Sequence, residues 1–93
     1  MKYEVTATSL FKKQLKIIKK RSKDLNKLKK VVDNLANGEK LDEKYRDHIL
    51  VNNARFKNCR ECHIEPDWLL VYRFHDNELI LILVETGSHS DLF

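Results

Sequence analysis

Residues 59–74 read CRECHIEPDWLLVYRF, and the periodicity of this stretch decides the fold. As an extended strand it sends Cys59, Glu61, His63 and Glu65 one way and Arg60, Cys62 and Ile64 the other. Pro66-Asp67 breaks the ladder and turns the chain. Trp68, Leu70, Tyr72 and Phe74 then share one face of a second strand. The same stretch spells C-x-x-C-H, a c-type haem motif. Strand periodicity separates Cys59 from Cys62, so they cannot share a metal without distortion, and the only methionine is Met1. No haem is expected. A thioredoxin-like pair fails too, because that chemistry needs its first cysteine at a helix N-terminus. Both cysteines read as structural, with Cys62 in the core.

Working outward, His75-Asp76-Asn77 is a hairpin turn signal, and ELILILVET at 78–86 is a third strand, apolar on both faces and so central. On the other side, KYEVTA at 2–7 alternates with Tyr3 and Val5 inward. Thr8 or Ser9 can cap a helix carrying Leu10, Phe11, Leu15, Ile17 and Ile18 on one side. A second helix carries Leu25, Leu28, Val32 and Leu35 and stops at Asn37-Gly38. The order is β-α-α-β-β-β, an α+β fold with an antiparallel sheet and an N-terminal helical hairpin packed on one face. Residues 1–93 form a single domain, large enough for one small core and no second.

The charge is unevenly spread. Residues 1–60 hold 17 Lys/Arg against 7 Asp/Glu, while residues 61–93 hold one against 7. Lys12, Lys13, Lys16, Lys19, Lys20, Arg21, Lys23, Lys27 and Lys30 crowd the two helices, with Asp24 the single acid among residues 12–30. A block so one-sided is either a solvated face or a surface for a polyanion or an acidic partner. No apolar run reaches the ~18 residues of a membrane helix, and the N-terminal stretch lacks a signal-peptide core. A cytoplasmic protein with reduced thiols and no membrane association is expected.

Of the four histidines, His75 reads as an ordinary turn residue. His63 has Glu61 on its own face, and the turn brings Asp67 near, which equips an imidazole for proton transfer near neutral pH. The string SHSD at 88–91 is no Ser-His-Asp triad, since sequence neighbours cannot adopt that geometry. No P-loop, Rossmann or HExxH motif is present.

DHIL at 47–50, RECHIEPDWLLVY at 60–72 and TGSHSDLF at 86–93 resemble the YafQ branch of the RelE/ParE toxin superfamily, over essentially the whole chain. The resemblance implies a RelE-like fold and the toxin of a toxin–antitoxin pair, a ribosome-dependent endoribonuclease acting on mRNA in the ribosomal A site. It implies catalysis by His48, His63, Asp67 and His89 without metal or cofactor, and a Phe93 that positions RNA. Glu61 fills a position that the family gives to an acid, and Trp68 is either a base-stacking residue or core. The implied partners are the ribosome and a cognate antitoxin, acidic and folding as it binds the basic helices. Glu85 stands where many members carry an arginine, which leaves Arg60 or Arg73 to face the phosphate, or the ribosome to supply part of the electrostatics. The segment at 49–59 is longer than is common and lacks glycine; Asn52, Asn53 and Asn58 can serve its turns. The alternatives are a ParE-like binder of DNA gyrase and a decayed, non-toxic RNA-binding homologue.

Overall fold

The structure is a computed structural model and describes residues 2–51 and 53–93; Met1 and Asn52 lie outside the described residues. In chain order it has β1 (Glu4–Ala7), α1 (Ser9–Lys20), α2 (Leu25–Ala36), a 3-10 turn (Glu43–Tyr45), β2 (His48–Ile49), β3 (Arg60–Glu65), β4 (Trp68–His75), β5 (Ile80–Gly87) and α3 (His89–Leu92). The strands form one sheet in the order β1-β5-β4-β3-β2. Strands β2 to β5 pair antiparallel, and β1 lies parallel to β5, so the expected α+β sheet has one parallel pair. The middle strand is β4, with β5 between it and β1. Among the described residues no helix is long and apolar enough to cross a membrane.

Capping sets the helix boundaries. Thr8 Oγ1 accepts from the Phe11 N–H at 3.0 Å and starts α1. Its end is a left-handed Ser22 (φ 60°), with Ser22 N–H donating to Lys19 O and Lys23 N–H to Ile18 O. Asp24 caps α2, and Gly38 (φ 76°) closes it in the same way. Only part of the apolar set on α1 is buried. Phe11 and Ile18, seven residues apart, face the sheet, whereas Leu10 and Ile17 are about 100° further round and stay exposed.

The main core lies between the helices and the sheet, and contains Phe11, Ile18, Leu28, Val31, Leu35, Cys62, Trp68, Leu70 and Tyr72. A second, smaller cluster covers the opposite face: Phe56, Cys59, Leu69, Val71 and Leu92. The expectation of a single core fails because β4 is apolar on both faces. Leu69 and Val71 point away from the helices, and the long segment before β3, with α3, folds over them. Glu65 also departs from alternation. The β3–β4 register shifts between His63 and Glu65, which turns Glu65 toward the helices, where Lys23 and Lys27 hold it at 2.9 and 2.8 Å.

Candidate active site

Four short elements bring the site together. His48 comes from β2, Glu61 and His63 from β3, Asp67 from the β3–β4 turn, and His89 from the first residue of α3. His48 pairs with Glu61 in the β2–β3 register. The imidazoles form a row, with ring centroids 6.4 Å apart for His48 and His63 and 5.6 Å for His63 and His89. His48 and His89 are about half exposed, while the His63 side chain is only 12% exposed between them.

Hydrogen bonds set the proton positions. Asp67 Oδ1 lies 2.6 Å from His89 Nδ1 and 2.9 Å from the His89 backbone N–H. That backbone donor first, then the ring, holds the Asp67 carboxyl below the usual carboxylate range. An ionised carboxylate only accepts, so Nδ1 of His89 donates and Nε2 is left with a free lone pair in the neutral ring. Asp67 therefore serves His89, and not His63 as the turn geometry led one to expect. His63 Nδ1 lies 3.3 Å from the Pro66 carbonyl and its Nε2 3.4 Å from Glu61 Oε1. Only the Nδ1 contact is a hydrogen bond; Glu61 stands beside Nε2 at ion-pair distance. His48 is arranged alike, with Nδ1 2.7 Å from the Arg46 carbonyl and Nε2 3.8 Å from the same Glu61 oxygen. Glu61 is 5% exposed, so it lies beneath two imidazoles, covered from solvent rather than at the surface where a substrate contact was expected.

His89 stays in place because α3, though one turn long, is tied at both ends. Ser88 and Asp91 form a reciprocal capping box, Arg21 at the C-terminal cap of α1 grips Asp91 at 2.7 Å, and Leu92 is buried. Gly87 permits the box, since a Cβ there would stand 2.9 Å from Asp91 Cβ. Phe93 is exposed and meets Phe56 edge-on at 5.6 Å, leaving a face free for stacking.

Three of the expected substrate contacts are elsewhere. Trp68 is fully buried and donates from Nε1 to Thr86 Oγ1 at 3.0 Å; it is core and cannot stack on a base. Arg60 is on the helix side of β3, paired with Asp47 at 3.1 Å. Arg73 shares the face of Leu69 but lies four residues along β4 from it, roughly 13 Å from the level of His63. The cation that periodicity missed is Arg55. Its Nη2 meets Glu85 Oε1 and Oε2 at 2.6 and 2.8 Å, and its Nη1 donates to Leu92 O at 2.9 Å. The one signal for it was Glu85, a carboxylate in an otherwise apolar strand, which requires a partner when buried.

A groove of about 440 Å³ opens beside His63, edged by Lys27, Lys30, Lys44, Arg46 and Pro66. Of the ten basic residues at 12–30, Arg21, Lys23, Lys27 and Lys29 are paired internally, to Asp91, Glu65 and Asp33. Lys12, Lys13, Lys16, Lys19, Lys20 and Lys30 make no ion pair among the described residues, and all six are exposed.

An α+β domain with a basic helical face and a row of imidazoles set beside carboxylates has the build of a small nuclease toxin. Residues 3–93 match the model of the family described as "Bacterial toxin of type II toxin-antitoxin system, YafQ", and the chain belongs to this family. The mRNA interferase toxin YafQ of Escherichia coli strain B is 37% identical over 91 residues, 97% of this chain and 95% of that protein. The E. coli DinJ–YafQ complex matches with a TM-score of 0.87 at 37% identity, covering 98% of each chain. A metal-bound toxin from Helicobacter pylori matches with a TM-score of 0.91 at 46% identity, covering 98% of this chain and 99% of that one. In the present chain, no three His, Cys, Asp or Glu side chains among the described residues are grouped to hold a metal ion.

Proposed function

We propose that this chain is an mRNA interferase, an endoribonuclease that cuts mRNA in the ribosomal A site by general acid–base catalysis and is silenced by a cognate antitoxin in the cytoplasm. The observation that carries the reading is the His89–Asp67 pair, which fixes one tautomer and leaves a basic nitrogen exposed in the row of imidazoles. The named activity of the E. coli relative and the DinJ complex of its structure support the same reading.

In the reaction, Nε2 of His89 takes the proton of a ribose 2′-OH, and the 2′-oxygen attacks the adjacent phosphorus. The bond from phosphorus to the 5′-oxygen breaks, and a protonated imidazole returns a proton to that oxygen. The products are a 2′,3′-cyclic phosphate and a 5′-hydroxyl. His48, at the opposite end of the row and half exposed, is the proton donor. His63, largely covered and beside Glu61, lines the floor beneath the phosphorane. Phe93 stacks on an unpaired base.

Cleavage of mRNA on translating ribosomes by wild type and His89→Ala, with free RNA as control, tests this. Cuts at defined codon positions, present only with ribosomes and lost in the variant, are expected. Intact mRNA with the wild-type protein bound to ribosomes would overturn the enzymatic reading in favour of a binder.

A further inference from the structure

We infer that Arg55 binds the RNA backbone phosphate at this site, presented there by the buried carboxylate of Glu85; this rests on the endoribonuclease reading above. Glu85 is 4% exposed and is fully occupied from the protein side. Gln14 of α1 donates to its Oε1 at 2.9 Å, and Arg55 meets both oxygens. The Gln14 amide oxygen also accepts from the Thr86 N–H at 2.9 Å, past the end of β1, and so anchors that part of β5. The carboxylate is thus at the base of the assembly and the guanidinium above it, where the Arg55 side chain remains 53% exposed. An RNA phosphate approaching from solvent meets the positive end of this pair, with the acid screened behind it.

The guanidinium has five N–H donors. Contacts with Glu85 and the Leu92 carbonyl engage its two terminal nitrogens, which leaves Nε–H and one Nη1 hydrogen without an acceptor among the described residues. Its plane rests on Phe56 at 4.7 Å, and Phe56 meets Phe93. Leu92 is the last residue of α3 and His89 the first, about 4.5 Å apart along the axis. Arg55 accordingly touches the end of α3 one helical turn beyond His89 and reaches Phe93 through Phe56, a separation that one nucleotide can span. A buried ion pair is a weak device for stability, since apolar residues of like volume often do better. This one turns a long exposed cation into a fixed one. Arg55 forms and breaks no bond; it meets the negative charge that builds on the phosphate oxygens.

The test is single-turnover mRNA cleavage on ribosomes across a salt series by wild type, Arg55→Gln/Glu85→Gln and Arg55→Lys, with melting temperatures for each. The double variant removes the cation without orphaning a buried carboxylate. The expected result is a loss of about 100-fold in rate and a fall of about 0.7 in the logarithmic salt slope of apparent affinity, the signature of one lost single-strand phosphate contact. A double variant that cleaves at the wild-type rate with an unchanged slope would overturn the inference and leave Arg55 as a brace for α3. If the double variant does not fold, Arg55→Lys decides. A rate about tenfold lower at unchanged melting temperature supports a bidentate phosphate contact, and the wild-type rate overturns it. Absence of cleavage by the wild-type chain is the separate failure, of the endoribonuclease reading itself.

Discussion

At His89 the chemistry turns on one carboxylate. Asp67 accepts from both the ring and the backbone N–H of the same residue, so it sets the tautomer and the position of the ring together. Asp67→Asn keeps the size but loses the charge, and cleavage is expected to fall by about 10²-fold, measured as single-turnover rates. A stability signature accompanies this. The folded pKa of Asp67 is lowered, so its contribution is present above the unfolded value of about 3.9 and lost as pH falls through the folded value. Urea midpoints followed from about pH 5 down to pH 2 should drop further for wild type than for Asp67→Asn; parallel curves would remove Asp67 from the ledger. Trp68 provides the contrasting case. It is part of the core, so Trp68→Ala should cost about 3–5 kcal/mol in chemical denaturation, and Trp68→Phe should leave cleavage per folded molecule near wild type. A Trp68→Phe chain of full stability but without cleavage would return Trp68 to the site.

Among the elements, α3 depends most on its surroundings, because four residues cannot sustain a helix alone. The capping box, the Arg21–Asp91 pair and buried Leu92 hold it, and Arg21 first, then the Ser88 backbone N–H, keeps the Asp91 carboxyl well below the usual range. The T-G-S-H run thereby gains a physical reading. Thr86 bonds Trp68, Gly87 clears room for Asp91, Ser88 caps, and the next residue carries the imidazole. Gly87→Ala forces Asp91 away and should cost about 1–3 kcal/mol. Amide exchange across 88–93 is expected to quicken, and cleavage to fall at least about tenfold as His89 loses its geometry. Unchanged exchange would show that the box can shift without loosening the helix.

Across the whole molecule, charge is divided by function. Arg21, Lys23 and Lys27 tie the helical hairpin to α3 and the β3–β4 turn, and so to the residues bearing Asp67 and His89. Lys12, Lys16 and Lys19, spaced along one face of α1, are exposed and available to a polyanion. Replacing these three by Gln should change stability by no more than about 0.5 kcal/mol. The salt slope of ribosome binding should decline by roughly 2–3, read from affinities over a salt series. An unchanged slope would move the RNA-binding surface off α1.

Local pattern sufficed for what depends on near neighbours. Alternation in 59–74 placed Cys59 and Cys62 on opposite faces and Glu61 beside His63, and Thr8 and Gly38 marked helix ends, because strand pleat and capping act over a few residues. Family-specific strings pointed to His48, His63, Asp67 and His89 together, which no local periodicity joins. Only the tertiary structure decided which acid serves which imidazole, that Trp68 is core, that Arg60 and Arg73 lie away from the histidine row, and that Arg55 answers Glu85. Each of these depends on contacts between residues far apart in the chain. The bulge at His63/Glu65 and the packing of Leu50, Phe56, Cys59 and α3 over Leu69 and Val71 determine them, and neither has a sequence period. A buried carboxylate declares that it requires a cation, but the fold alone selects the arginine.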